Sequence, residues 1–211
     1  MSTDSHERLP KEGDTLKVSP SLSMTDLEIW QNIKAGDKLS FSLAYDKYVD
    51  SLINYGCRFT RDASLVEDCL HDLFVYVWNN RANLSDTDSI KNYMMVSLRR
   101  SIINKQKKLS KSQNDITERE GTFSTELSIE EILINTEITQ EKAPHLKKAF
   151  EKLSGRQKEA IYLKFYTDKE YDEICEIMDL NYQSARNLVS TGIKKLKDIM
   201  IILLFVFLHL Q

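Results

Sequence analysis

The chain has 211 residues, of which 41% are hydrophobic and 29% are charged, with only six glycines and three prolines. This apolar fraction is sufficient for hydrophobic cores, and the scarcity of glycine and proline argues against a collagen-like repeat and a β-sandwich. The 29 basic and 32 acidic residues give a net charge of −3, so nucleic-acid binding would have to depend on where the charges lie.

The cysteines and the N-terminal residues indicate the cellular compartment. Cys57, Cys69 and Cys175 lie far apart and form no Cys-x-x-Cys pair, which argues against a disulfide framework and a zinc site. The first 25 residues are polar and lack the apolar core of a signal peptide. We therefore expect a cytoplasmic protein with no metal site and no cofactor.

Helical periodicity begins near residue 24. Apolar residues recur every three or four positions from Phe41 to Phe59, from Leu65 to Trp78, and again from Ile90. Residues 79–89 are rich in Asn, Asp, Ser and Thr, which predicts a loop. We therefore expect a helical domain over residues 24–107, preceded by a disordered tail.

The remainder divides into three further segments. Residues 108–144 are polar and predict a linker with a short helix at 127–136, because too little apolar surface offsets the cost of ordering the chain. Helical periodicity resumes over residues 145–198, and residues 199–211 form an apolar tail. The predicted fold class is all-α, with two small helical domains joined by a flexible linker.

The apolar tail is unusual because it is apolar on all sides. Twelve helical residues span ~18 Å, which is shorter than the ~30 Å hydrocarbon core of a bilayer. Contact with a membrane surface, a lid on the protein body and a partner-binding helix are all open alternatives. Our hypothesis is burial against the protein's own domains or against an inhibitory partner.

The stretch from Ile90 to Lys111 carries seven basic and no acidic residues. Clustered cations on one helix neutralise phosphates and release counterions, although a solvated helix face is the alternative. Tyr93 and the asparagines of the preceding loop could stack on bases or hydrogen-bond to them, although an isolated tyrosine is more often a core residue.

Residues 171–196 have the pattern of a helix-turn-helix motif. A short amphipathic helix over Tyr171–Met178 precedes Asn181, a suitable N-cap for a second helix that begins at Tyr182. The second helix directs amide, hydroxyl and cationic side chains outward, as a helix in the major groove does. A plain helical hairpin is the alternative.

Two sets of motifs resemble the RNA polymerase sigma-70 family. Residues that resemble region 4 lie at 153–163, 171–174, 183–187 and 194–196, and residues that resemble region 2 lie at 41–48, 67–78 and 90–93. The absence of a third folded region between them is typical of the extracytoplasmic-function (ECF) subfamily. The resemblance implies that the region 2-like domain binds core RNA polymerase and promoter DNA and that the region 4-like domain binds promoter DNA. An anti-sigma factor as a further partner is left open.

The resemblance also implies roles for individual residues. The acidic side chains that would dock on the clamp helices of the polymerase β′ subunit are Glu67, Asp68 and Asp72. The residues that would contact the opened −10 promoter element are Asn80, Asn83, Lys91, Tyr93, Arg99 and Arg100. The residues that would read the −35 element as duplex are Gln183, Ser184, Arg186, Asn187, Ser190 and Lys194.

The sequence departs from the family pattern at three places, of which Ser154-Gly155 in place of the usual proline-containing pair is a small change. Glu170 replaces the usual Ser or Thr cap, so Asp168 is an alternative start for the following helix. Leu188 replaces a common arginine, which leaves Arg186 and Lys194 to contact phosphate.

Enzymatic motifs do not stand out in the sequence. It contains no Gly-rich phosphate loop, no His-Glu-x-x-His motif and no evident catalytic triad, so we expect no catalytic residues. The predicted function is that of a sigma factor that directs promoter recognition, DNA opening and transcription initiation. The alternative is a stand-alone helix-turn-helix regulator.

Overall fold

The computed structural model describes residues 24–112, 123 and 149–209, with side chains in 24–109, 123 and 149–198. The predicted tail at 1–23 and the short helix predicted at 127–136 lie outside these residues. Every regular element in the described ranges is helical, which confirms the all-α prediction.

The front domain contains four helices: α1 (Asp26–Ala35), α2 (Lys38–Gly56), α3 (Ala63–Asn80) and α4 (Ile90–Ser112). A short 3₁₀ turn at Arg81–Asn83 follows α3. Helices α2, α3 and α4 pack against one another, and α1 packs on α2. The three stretches of apolar periodicity therefore correspond to α2, α3 and α4, and α4 extends five residues beyond the predicted domain end at 107.

The apolar stripes of these helices meet in one core. Leu52 of α2, Val66 of α3 and Leu98 of α4 are fully buried, as their spacing predicts. Gly56 allows the end of α2 to approach α3 closely, since an added Cβ would lie 2.5 Å from Cγ1 of Val66.

The start of α4 is held by Asp26, the first residue of α1. One carboxylate oxygen accepts a hydrogen bond from the backbone N–H of Ile90 (3.0 Å), and the other accepts from Lys47 Nζ (2.8 Å) and from the Tyr48 hydroxyl. Burial favours a higher pKa for Asp26, but these hydrogen bonds outweigh it and lower the pKa below its ordinary value of 3.8. Burial and the same carboxylate raise the pKa of Tyr48 to about 12.

The back domain contains α5 (Gly155–Ile161), which continues into a π-helical turn (Tyr162–Tyr166), then α6 (Tyr171–Met178) and α7 (Tyr182–His209). Helix α7 packs on α5 and α6. Gly192 permits the close approach of α7 to α5, because an added Cβ there would lie 2.7 Å from Ile161 Cδ1.

The helix-turn-helix geometry follows local capping signals. Asn181 Oδ1 accepts a hydrogen bond from the backbone N–H of Ser184 (2.8 Å), which confirms the predicted N-cap of α7. Glu170 is the N-cap of α6, and its N–H donates to the Glu173 carboxylate (2.8 Å). The alternative start at Asp168 is therefore wrong: Asp168 precedes the helix and has a positive φ of 51°.

Helix α7 continues past the predicted base-reading segment into the apolar tail, where the backbone is helical to His209. The side chains from residue 199 onward lie outside the described residues, so the hypothesis that they are buried stays a prediction. Within the described part of the chain, no helix has both the length and the apolar character that a membrane crossing requires.

The two domains pack against each other, chiefly through α4 and α6. A continuous cluster of buried apolar side chains extends from the front domain through Phe123 of the linker into the back domain. The apolar periodicity predicts the two domains but not this contact between them.

Candidate nucleic-acid and protein interfaces

An acidic surface lies along the outer side of α3. Glu67, Asp68 and Asp72 are all exposed, as the periodicity of α3 predicts. Asp72 accepts a 3.0 Å hydrogen bond from Lys105 Nζ, but its side chain is 65% exposed, so water screens this pair. The surface therefore presents negative charge to a partner.

An aromatic groove lies beside this acidic surface, between α2 and α3. Its volume is about 720 Å³, and Glu67 and His71 line it together with apolar side chains. The Phe41 and Trp78 rings lie 5.0 Å apart on its wall, measured between centroids. Acidic and apolar surfaces are thus adjacent on the same side of the front domain.

The segment that joins α3 to α4 and the first turn of α4 present polar groups. Asn83 is exposed, whereas the Asn80 side chain donates a 2.9 Å hydrogen bond to the backbone oxygen of Tyr76. The Tyr93 ring is half-buried and lies 5.0 Å from the Trp30 ring, and burial raises the pKa of its hydroxyl. Asn83 is therefore more accessible to a ligand than Asn80 or Tyr93.

The cations of α4 differ sharply in exposure. Arg100 is exposed, whereas the Arg99 side chain is only 14% exposed because it contacts Glu159 of the back domain. Burial favours a lower pKa for Arg99, but the hydrogen bonds to Glu159 outweigh this effect and raise the pKa of Arg99. Burial, together with the nearby charge of Lys169, lowers the pKa of Lys91.

A polar cluster joins the two domains at Glu159. The Arg99 guanidinium donates from Nε to Oε1 (2.7 Å) and from the terminal nitrogen to Oε2 (3.1 Å), which is a bidentate pair. The Tyr55 hydroxyl of α2 donates to Oε1 as well (2.7 Å). Burial and the nearby Glu159 charge raise the pKa of Tyr55 well above 10.0, so the hydroxyl remains a donor at neutral pH.

The outward face of α7 is open. Of the six side chains predicted to read DNA on this helix, Ser184 is half-buried and the following are exposed: Gln183, Arg186, Asn187, Ser190 and Lys194. Gln183 donates a 3.0 Å hydrogen bond to Asn187, one turn further along the helix. The structure therefore brings the predicted set together on one accessible surface.

Glu159, Glu173 and Phe123 lie at the contact between the domains and were not among the predicted site residues. Glu159 precedes the buried residues Tyr162 and Leu163 by three and four positions, so a carboxylate on an apolar helix face was a detectable signal. Phe123 is the only aromatic residue of the predicted linker at 108–144, which was a second signal.

Metal-ligating side chains do not cluster among the described residues. No group of three or more His, Cys, Asp or Glu side chains there is arranged to hold a metal ion. Cys57, Cys69 and Cys175 are free thiols.

Comparison with known proteins assigns both domains. Residues 44–112 match the family model for sigma-70 region 2, and residues 146–196 match the model for sigma-70 region 4. No curated protein sequence matches the chain.

Two solved structures share the fold at low sequence identity. One is the sigma factor RpoE in complex with the anti-sigma factor NepR from Bartonella quintana, with 17% identity and a TM-score of 0.54, covering 76% of this chain and 96% of that chain. The other is CnrH in complex with the cytosolic domain of CnrY, with 12% identity and a TM-score of 0.54, covering 82% and 94%. Since the two family models together match more than half of the residues, in the order region 2 then region 4, the chain belongs to the sigma-70 family.

Proposed function

We propose that this sigma factor binds core RNA polymerase through region 2 and positions both domains on promoter DNA to start transcription. The observation that carries the proposal is that one chain contains regions 2 and 4, each with an exposed surface of suitable chemistry. The acidic face of α3 suits a basic protein surface, and the amide and cationic face of α7 suits duplex DNA.

The polymerase contact is assigned to Glu67, Asp68 and Asp72. Their exposure leaves them available to basic residues of the β′ clamp helices, where opposite charges guide association and set the register. The aromatic groove beside them offers apolar area that such a contact could bury.

The −10 element is assigned to the loop after α3 and to α4. Unstacking a base costs a few kcal/mol, which hydrogen bonds and stacking in a shaped site can offset. Asn83 and Arg100 are accessible for this purpose, and the remaining proposed contacts are Asn80, Lys91, Tyr93 and Arg99.

The −35 element is assigned to the outward face of α7. Arg186 and Lys194 would contact phosphates or guanine, and the amides of Gln183 and Asn187 suit adenine. Ser184 and Ser190 would supply further hydrogen bonds.

The sigma factor transfers specificity by binding and catalyses no covalent step. Its place of action is the cytoplasm, with core polymerase. An anti-sigma factor is a further partner: RpoE, which shares the fold, has been solved in complex with the anti-sigma factor NepR.

In vitro transcription with purified core polymerase on a promoter library tests this function. The wild-type chain should bind core polymerase without DNA and direct initiation from a defined set of promoters. Failure to bind polymerase, together with duplex binding as a dimer, would instead indicate a stand-alone regulator.

A charge reversal tests the polymerase assignment. Asp72→Lys should weaken binding to core polymerase, and Asp50→Lys, at an exposed position of α2, is the matched control. Equal affinity of the Asp72 variant and the wild type would remove Asp72 from the polymerase interface.

A further inference from the structure

The segment between the 3₁₀ turn and α4, residues 84–89, is held by side chains of α1. Trp30 donates a 2.9 Å hydrogen bond from its indole Nε1 to the backbone oxygen of Ser85. The Trp30 side chain is fully buried, and an indole ring has a single N–H donor, so its one hydrogen bond is given to this segment. The backbone at Ser85 is thus fixed by a rigid ring in the core of the front domain.

Two further side chains of α1 reach the next residue of the 84–89 segment. Asp86 accepts hydrogen bonds from Gln31 Nε2 (3.0 Å) and from Lys34 Nζ. The Asp86 side chain is 65% exposed, so water screens the charge pair and its contribution to stability is small. The two bonds instead set the orientation of Asp86 relative to α1.

The α1 residues that hold this part of the chain share one face of the helix. Asp26, Trp30 and Lys34 are four positions apart, the spacing that aligns side chains along a helix. Asp26 accepts the hydrogen bond from the backbone N–H of Ile90, immediately after the 84–89 segment. One face of α1 therefore holds both the middle of the segment and its junction with α4.

The side chains left exposed around these contacts are the ones that an opened DNA strand can meet. Asn83, Ser85 and Asp88 are exposed and carry an amide, a hydroxyl and a carboxylate, which together offer donors and acceptors to base edges. Tyr93 packs on Trp30, with 5.0 Å between the ring centroids. Trp30 thus lies directly behind the surface that the proposed function assigns to the −10 element.

We propose that Trp30 and Lys34 are positioning residues for the −10 element, which fix the path of the 84–89 segment and thereby determine which base the surrounding side chains accept. Both act through the segment and not by contact with DNA. The inference rests on the proposed function for the identity of the ligand. The fixing of the segment depends on this chain alone.

A segment that is fixed before binding discriminates between bases better than one that adapts. Ordering a mobile segment costs conformational entropy when the ligand binds, and a mobile segment can rearrange to accept a second base. Specificity is a difference between two affinities, so loosening the segment should reduce the preference for one base over another. Affinity for core polymerase should not change, because the proposed polymerase contact lies on α3.

Holoenzyme assembled from core polymerase and the full-length variants tests the proposal on opened templates that are randomised in the −10 element. Trp30→Phe retains an aromatic ring but removes the donor, so the preference for the best base over the second best should fall by about fivefold or more. Lys34→Met should reduce the same preference by a smaller factor. Both variants should bind core polymerase as the wild type does.

Two variants control for losses of stability and of charge. Ile33→Val shortens a buried side chain of the same helix, and Lys38→Met removes an exposed cation at the start of α2. Both should retain the wild-type base preference. Charge reversal supplies a rescue, since Lys34→Asp should lower the preference and the addition of Asp86→Lys should restore part of it.

Hydrogen exchange by mass spectrometry on the free full-length chain measures the fixing of the segment directly. The amides of residues 84–89 should exchange faster in Trp30→Phe than in the wild type and in Ile33→Val. Unchanged exchange in Trp30→Phe overturns the positioning role, and so does faster exchange with an unchanged base preference.

Two further outcomes separate this inference from the proposed function. An equal loss of base preference in Ile33→Val and Trp30→Phe overturns the positioning role, because the loss then follows stability and not the hydrogen bond to Ser85. If exchange rises in Trp30→Phe but the wild-type holoenzyme prefers no base in the library, the proposed function fails. The positioning role then fails with it, while the fixing of the segment by α1 stands.

Discussion

The two helices proposed to contact the promoter, α4 and α7, carry similar polar and basic side chains but differ in how far these side chains are exposed. On α7, Arg186 and Lys194 are exposed to solvent. On α4, Arg99 is held by Glu159 and Lys91 is half-buried, although Arg100 is exposed. The comparison shows that residue type indicates what a helix can bind, whereas tertiary packing determines whether the side chains are accessible.

This difference has a consequence for the order of promoter contacts. The α7 face can meet duplex DNA while the domains remain packed, because most of its outward side chains are exposed in the packed arrangement. The Arg99 position of α4 becomes accessible only after region 4 moves away. We therefore expect −35 binding to be independent of domain separation and the Arg99 contact with the −10 element to require it.

Two neighbouring arginines provide the strongest test of this comparison. Arg99→Ala should destabilise the packed arrangement by about 3–5 kcal/mol, because it leaves the Glu159 carboxylate buried without its counter-charge. Arg100→Ala removes an exposed cation from the same helix and should change this packing by less than about 0.5 kcal/mol. Urea denaturation with scattering at each concentration measures both effects, and equal losses would contradict the buried role of Arg99.

The next largest effect concerns the start of α4. Asp26→Asn should destabilise region 2 by roughly 2 kcal/mol at pH 7, because hydrogen bonds to a charged carboxylate contribute more than those to an amide. Since folding lowers the pKa of Asp26, its contribution is present above pH 3.8 and is lost as the pH falls through the lowered value. The stability difference between wild type and variant, measured by urea denaturation, should therefore shrink below about pH 4.

Asp37→Asn is the control for that pH dependence. Asp37 caps α2 through local hydrogen bonds at an exposed site, so its variant should show a smaller difference at pH 7. A difference for Asp26→Asn that does not vary between pH 7 and pH 3 would contradict the charged role of Asp26.

The local structure could be predicted because it follows from short-range patterns. The apolar spacing from Leu65 to Trp78 predicts both the core face of α3 and its exposed acidic face. The Asn181 cap likewise predicts where α7 begins. These features depend on residues three or four positions apart, which the sequence displays directly.

The contacts between the domains could not be predicted in this way. Arg99 and Glu159 are 60 positions apart, and Asp26 and Ile90 are 64 apart, so their pairing depends on how whole helices pack. Charge counting correctly marks Arg99 as part of a basic cluster but contains no information on its partner. The burial of Phe123 has the same origin, since a polar linker sequence does not specify what its one aromatic ring contacts.

The exposed basic side chains of α7 should affect DNA binding only. Replacing Arg186 and Lys194 together by alanine should lower the slope of log affinity against log salt for duplex binding by about 1.8, if each cation neutralises one phosphate. Fluorescence anisotropy with a selected −35 duplex measures this slope. Lys38→Ala, at the exposed first position of α2, provides the control, and an unchanged slope in the double variant would remove the phosphate assignment.

The smallest expected loss of stability concerns the N-terminus of α7, which is capped by Asn181, in contrast to the N-terminus of α4, which is held by Asp26. Asn181→Ala removes one local cap and should destabilise region 4 by about 1 kcal/mol, less than the loss expected for Asp26→Asn. Asn181 accepts only from its own helix start, whereas Asp26 connects α1, α2 and α4, so its loss reaches three helices. Hydrogen exchange by mass spectrometry should show faster exchange at the start of α7 alone for Asn181→Ala. Faster exchange in α4 as well would mean that the two helix starts are coupled through the domain contact.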